Sequence, residues 1–190
     1  MPSFTLDTNC IIDVAEGRAA APYVMALADA PRLGRADVAL VAVSASERQP
    51  GDTYLSSYAD FEARVAGLGL SHLTELRGMG YFDISYWDHA IHADQAMKDR
   101  EREIHTVLFP NVAFEWPSFA VAAGIPVDTI NVPAARRWRN AFCDRQMYWA
   151  HDHNGRDVFV TSDGNFGRLV GHALFLSATV MRPDQAAALL

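Results

Sequence analysis

Short apolar segments alternate along the chain with longer segments that have helical periodicity. The apolar segments, which have the length and composition of buried strands, are residues 3–6, 37–47, 157–163 and 173–181. Their centres are almost continuously apolar, which is typical of strands that are covered on both faces. The alternation predicts an α/β fold, a three-layer α/β/α sandwich with a mainly parallel central sheet.

The segments between these strands carry the signals of helix starts and ends. Asn9 is a suitable N-cap and Pro31 a suitable stop for the first helix, and Pro133 suits the first turn of a later one. We predict helices over residues 9–30, 54–68, 84–108, 133–153 and 182–190, with a short helical turn over 164–171.

The middle of the chain departs from this regular alternation. Residues 109–133 contain four prolines and no clear period, so we expect short elements and loops there. We predict a single domain over residues 1–190, with an insertion or an enlarged helical and loop region at about 50–132. Such a region can serve as a lid, as the contact surface of a homodimer or as a groove for a partner protein.

Length and composition fit one soluble domain. The chain has 190 residues, of which 50% are hydrophobic, and this is enough for one compact core. No apolar run approaches the roughly 20 residues that span a bilayer, and the N-terminus lacks the features of a signal peptide. We expect a cytoplasmic protein without membrane contacts, in which Cys10 and Cys143 are free thiols.

Four carboxylates are predicted to meet at one edge of the sheet. In a parallel sheet, functional groups gather beyond the carboxyl ends of the strands. Asp7, Glu47 and Asp163 each follow a predicted strand. Asp144 needs a length argument: the helix from Asp144 to residue 152 rises about 13 Å, and the strand over 157–161 returns about 16 Å. Asp144 should therefore lie level with Asp163.

Carboxylates that cluster repel each other unless protons or cations lie between them. Oxygen ligands in one site suit a hard cation, so the expected cofactor is Mg²⁺ or Mn²⁺. The side chains of Thr8, Asn9, Thr161 and Ser162 flank these acids in sequence, and they are expected to orient the ligands. Asp7, Glu47, Asp144 and Asp163 are thus candidate metal-binding and catalytic residues.

Each acid also has an ordinary structural interpretation. Asp7 and Asn9 are common helix caps, and Ser44 with Glu47 fits a capping box. Asp144 fits a solvated helix position. The functional hypothesis depends on the coincidence of all four acids.

Two motifs resemble those of the PIN-domain ribonuclease family, which includes the toxins of bacterial toxin–antitoxin pairs. They are "LDTNCIID" near the start and "CDRQMYWAHDHNGRDVFVTSDGNF" near the end. The family has "DTN" after the first strand, then a helical Asp, then a strand that closes in "T-x-D-x-x-F", which here is Thr161, Asp163 and Phe166. The final "VMRPDQAAALL" resembles the usual last strand and helix. The motifs cover about a third of the chain.

The resemblance implies a metal-dependent endoribonuclease that hydrolyses RNA phosphodiester bonds. Asp7, Asp144 and Asp163 match the family's metal-binding acids, and the remaining acid is Glu47 or, if the helix over 54–68 is the equivalent one, Glu62. The resemblance leaves open one or two metal ions, an antitoxin partner and a homodimer. The alternative is a catalytically weak or inactive PIN-like scaffold that binds RNA or protein.

The formal net charge of −7 argues against binding of nucleic acid by bulk positive charge. A local basic patch is still compatible with it. The candidate RNA-binding residues are Arg136, Arg137, Arg139 and Arg145, which lie on the same predicted helix as Asp144. The alternative is a helix with one buried tryptophan and solvated arginines.

Overall fold

A computed structural model of the protein describes residues 1–47 and 54–190. The strands in these residues are β1 (Ser3–Leu6), β2 (Asp37–Val41), β3 (Thr74–Leu76), β4 (Gly78–Met79), β5 (Ala90–Ile91), β6 (Val158–Val160) and β7 (Val180–Met181). The α-helices are α1 (Thr8–Ala15), α2 (Ala21–Asp29), α3 (Tyr58–Gly67), α4 (Gln95–Leu108), α5 (Trp116–Ala123), α6 (Arg136–His153) and α7 (Pro183–Ala187).

The central sheet has five strands in the order β3-β2-β1-β6-β7, and every neighbouring pair is parallel. The first strand, β1, lies in the middle of the sheet and pairs with β2 along one edge and with β6 along the other. The chain thus winds outward in one direction from β1 to β3 and then crosses over to β6. In open α/β sheets, ligands bind beyond the carboxyl ends of the strands at such a switch point.

Alternate residues of the strands pack into two separate hydrophobic cores. In β2, Val38 and Leu40 face a core that includes residues of α1, α2, α3 and α7. Ala39 and Val41 face the other core, which includes residues of α4, α5 and α6. Helices therefore cover both faces of the sheet, and the predicted three-layer α/β/α class is confirmed.

The predicted first helix, residues 9–30, is two helices. Gly17, at a φ of 61°, lies in the turn between α1 and α2. A residue with a Cβ adopts this left-handed conformation only at a cost, so the glycine favours a turn here. The predicted helix over 84–108 is also shorter, because Asp94 caps it through a 2.8 Å bond that its side chain accepts from the Met97 amide.

Two predicted strands are shorter than their apolar runs. β2 ends at Val41, and a 3₁₀ helix over Ala42–Ser46 carries the chain to Glu47. In the last run, residues 173–181, only Val180 and Met181 pair with β6. Residues 173–178 form turns, in which Phe175 is buried as a core side chain. Leu174 and Leu176 of this run are exposed, so its apolar composition indicates neither strand pairing nor continuous burial.

The enlarged middle region folds back onto α6. It contains β3, the small β4–β5 sheet, α4 and α5 in addition to α3. A buried ion pair joins α4 to α6: Arg145 Nε lies 2.6 Å from Glu101 Oε1, with side-chain exposures of 1% and 0%. Gln146 donates to the same oxygen over 2.7 Å, and Tyr81 donates to the other oxygen of Glu101.

No helix in the described ranges combines the length and the apolar character needed to cross a membrane.

Candidate active site

Asp7 lies at the carboxyl end of β1 and is held by three donors. Its Oδ1 accepts the Thr8 amide over 2.7 Å, which caps α1. Its Oδ2 accepts Asn9 Nδ2 over 2.7 Å and the Thr161 hydroxyl over 2.6 Å. The carboxylate is therefore both a helix cap, as one interpretation of the sequence predicted, and a fixed group at the sheet edge.

Thr161 joins the ends of β1 and β6. Besides donating to Asp7, its hydroxyl oxygen accepts Asn9 Nδ2 over 2.9 Å and the Asp163 amide over 2.9 Å. Asn9 Oδ1 in turn accepts the Ser162 amide over 3.3 Å. The Ser162 side chain is exposed, so Ser162 takes part through its backbone. This network fixes the Asp7 and Asp163 segments at the switch point.

Glu47 follows β2 through the 3₁₀ helix over Ala42–Ser46, at the same edge of the sheet as Asp7. Ser46 holds that turn: its hydroxyl donates to the Ile84 carbonyl over 2.8 Å, and its own carbonyl accepts Arg139 Nη2 over 2.7 Å. The predicted capping box is wrong, because Ser44 does not cap this 3₁₀ helix and its hydroxyl instead accepts the Thr8 hydroxyl over 2.8 Å.

Asp144 and Asp163 line one cleft of about 370 Å³. The rise of α6 and the return along β6 thus place the two carboxylates at the same edge, as the length argument predicted. Asn165 orients Asp163: its amide donates to Oδ1 over 2.8 Å, and its Nδ2 donates to Oδ2 over 3.3 Å.

Burial and neighbouring charges raise the pKa values of three of the carboxylates. Removal from water, and then the charge of Asp7, raise the pKa of Glu47 to about 8. Burial raises the pKa of Asp7 to about 6, against the hydrogen bond from Thr161, and Asp163 adds to the rise. Burial also raises the pKa of Asp144, and the charges of Glu47, Asp7 and Asp163 raise it further.

The sequence left Glu47 and Glu62 as alternatives, and the structure separates them. Glu62 is exposed on α3. It lines a different cavity, together with Phe61, Val65 and Glu75. Only Glu47 of the two interacts with Asp7 and Asp144.

Two of the four predicted RNA-binding arginines, Arg139 and Arg145, are buried, so this part of the prediction is wrong. Arg145 is 1% exposed and forms the ion pair with Glu101, and Arg139 is 4% exposed and holds the Ser46 carbonyl. Guanidinium groups that are buried in this way do not reach an RNA phosphate. Arg136 and Arg137 are exposed, and Arg137 lines the cleft beside Asp144. Trp138 is buried, as the alternative interpretation predicted.

Three polar side chains of the site were missed in the sequence: Ser44, Asn140 and Asn165. Asn140 precedes Asp144 by one helical turn and lines the same cleft. Its spacing from Asp144 was a usable signal. Asn165 follows Asp163 by two residues, which is the spacing of an Asx turn. Ser44 carried no such signal, because its partner Thr8 lies 36 residues away.

Carboxylate oxygens are the ligands that a hard divalent cation prefers. Asp7, Glu47 and Asp163 follow β1, β2 and β6, Asp144 lies on α6, and hydrogen bonds hold Asp7 and Asp163. In the described residues, no three side chains of the His, Cys, Asp or Glu type stand close enough together to enclose an ion. The fit is therefore one of ligand chemistry, charge and position in the fold.

The raised pKa of Glu47 predicts how the free energy of unfolding changes with pH. Between its ordinary pKa of 4.5 and about 8, the folded protein keeps a proton that the unfolded chain releases. The free energy of unfolding therefore falls as pH rises through this window. Glu47→Gln removes this loss, so its melting temperature should exceed that of the wild type by roughly 5 °C at pH 8 and by much less at pH 5.

Thermal melts in EDTA at half-unit pH steps measure this difference, with Glu62→Gln as the charge-matched control. A Glu47→Gln advantage that stays constant from pH 5 to pH 8 would contradict the placement of Glu47 in the cluster.

No model of a known protein family matches the chain, and no curated protein matches it significantly.

Proposed function

We propose that this protein is a metal-dependent endoribonuclease that uses Mg²⁺ or Mn²⁺. The observation that carries the proposal is the position of four acids beyond the strands at the switch point of the sheet. Asp144 and Asp163 line one cleft, Thr161 ties Asp7 to the Asp163 segment, and Glu47 follows the turn after β2. Burial raises the pKa values of Asp7, Glu47 and Asp144, and the charges of neighbouring acids add to each rise. A fold keeps such a costly arrangement where a cation offsets the repulsion.

The four carboxylates would hold the cation. When bound, it supplies charge that polarises the phosphate and lowers the pKa of the attacking water. The chain's own residues orient the acids: Thr161 and Asn9 fix Asp7, and Asn165 fixes Asp163. A carboxylate oxygen of the set accepts the proton that the water loses during in-line attack.

The choice of RNA as the substrate is supported by the resemblance of the two sequence motifs to PIN-domain ribonucleases. The same resemblance supports a toxin role, with a small antitoxin protein as the partner, and a homodimer. These finer assignments remain predictions about this chain.

Incubation with a mixed RNA pool tests the activity. We expect the purified protein to cleave RNA in Mg²⁺ or Mn²⁺ and to be inactive in EDTA. Asp7→Asn keeps the size of the side chain but removes the charge, and should abolish cleavage. Asp128→Asn, at an exposed aspartate, is the matched control and should cleave as the wild type does.

Metal-independent cleavage, or cleavage that persists in Asp7→Asn, would contradict the proposal. If neither protein cleaves any RNA in the pool, the scaffold alternative is favoured. Calorimetric titration with Mn²⁺ then shows whether the acids bind a cation at all.

A further inference from the structure

The cleft beside the carboxylates has a wall that comes from the enlarged middle region. On one side lie Asn140 and Asp144 of α6, and Asp163 lies at the end of β6. The lining of the cleft also includes the turn that follows α4, residues 109–112. The substrate side of the site therefore includes a segment that the two sequence motifs do not cover.

Two exposed arginines stand in this cleft, and the chain around the end of α4 positions both. Arg137 Nη2 donates to the Asn111 carbonyl over 3.1 Å. Arg168 Nη1 donates to the Leu108 carbonyl over 2.6 Å. In the hydrogen bonds of the described residues, each guanidinium uses one nitrogen, and the group carries five N–H donors.

We propose that Arg137 and Arg168 bind phosphates of the RNA strand in the cleft beside the carboxylates. The proposal rests on the proposed function, because it takes the carboxylates as the place of cleavage. It assigns the segment around the end of α4 a positioning role: its carbonyls hold the two guanidinium groups beside the acids.

Charge and geometry support this assignment. The net charge of −7 and the carboxylates repel a polyanion, so a strand needs cations at the cleft itself. A guanidinium binds phosphate oxygens through two parallel hydrogen bonds. An anchor on a backbone carbonyl reduces the side-chain freedom that binding would otherwise cost.

Kinetics of the double variant Arg137→Gln/Arg168→Gln test the proposal. The substrate is a fluorescein-labelled single-stranded RNA that the wild type cleaves in Mg²⁺. We expect KM to rise at least about tenfold, with kcat within about threefold of the wild type. The slope of log(1/KM) against log salt should become shallower by about 1.4, or about 0.7 for each lost phosphate contact.

Two further variants make the result specific. Arg32→Gln/Arg35→Gln removes the same charge from the exposed segment before β2, at the opposite edge of the sheet, and should leave KM and the salt slope unchanged. Arg168→Lys keeps the charge without the planar fork, and should retain the salt slope while KM rises. Thermal melts show that each variant is folded.

The outcomes separate this proposal from the proposed function. If the wild type cleaves and the Arg137/Arg168 variant has the same KM and salt slope, this proposal is overturned and the nuclease stands. If the wild type cleaves no RNA, the nuclease fails, and fluorescence anisotropy with a fluorescein-labelled single-stranded RNA tests binding by the wild type and the Arg137/Arg168 variant. Arginine-dependent binding then supports the assignment of RNA to the cleft. Equal binding by the two proteins, or none, overturns it.

Discussion

Glu47→Gln is expected to reduce metal-dependent RNA cleavage by at least about 100-fold, whereas Glu62→Gln should leave it within about twofold. The sequence favoured Glu47 and offered Glu62 as its substitute, and only the charge of Glu47 interacts with Asp7 and Asp144. Loss of one ligand charge removes about 3 kcal/mol of transition-state stabilisation, which corresponds to that factor.

Initial cleavage rates at saturating Mg²⁺ measure the effect, and the same rates at increasing Mn²⁺ report on metal affinity. Partial recovery of Glu47→Gln at high metal concentration would indicate weakened metal binding. Equal losses in Glu47→Gln and Glu62→Gln would contradict the site as described.

Arg145→Met is expected to destabilise the protein by about 3–5 kcal/mol, because it leaves the carboxylate of Glu101 buried without its cation. At roughly 2–4 °C per kcal/mol for a chain of this size, the melting temperature should fall by about 10 °C. Arg32→Gln breaks an ion pair with Asp29 whose side chains are 56% and 52% exposed. It should cost less than about 1 kcal/mol.

The double variant Arg145→Met/Glu101→Gln identifies the cause of that loss. It removes the buried charge together with its partner, so it should be more stable than Arg145→Met alone. Denaturant unfolding measures all three variants. If Arg145→Met were as stable as Arg32→Gln, the buried ion pair would contribute little to the attachment of α4 to α6.

The carboxylate edge was predictable because it depends on strand ends and on two fixed rises per residue. Asp7 and Asp163 follow strands whose apolar runs are unmistakable. The position of Asp144 follows from the length argument, since the rise of α6 after Asp144 and the return along residues 157–161 are of similar length. Regular geometry of this kind can be predicted from the local sequence.

The burial of Arg145 and its pairing with Glu101 could not be predicted from the local sequence. Arg145 follows Asp144 directly, in a helix with arginines on several faces, and nothing nearby marks it as buried. Its partner Glu101 lies 44 residues away in the region with the least regular pattern. The Ser44–Thr8 bond is likewise a contact between distant segments. Partners of this kind follow from packing of the whole chain.

The position of β1 between β2 and β6 has a consequence for synthesis on the ribosome. Asp7 is made early, but its partner Thr161 follows 154 residues later, and Asp163 later still. One edge of β1 therefore stays unpaired until β6 has been made. Pairing between strands so distant in sequence slows folding. The set of acids is complete only when Asp163 has been made, so the proposed activity would arise only after the β6 segment has left the ribosome.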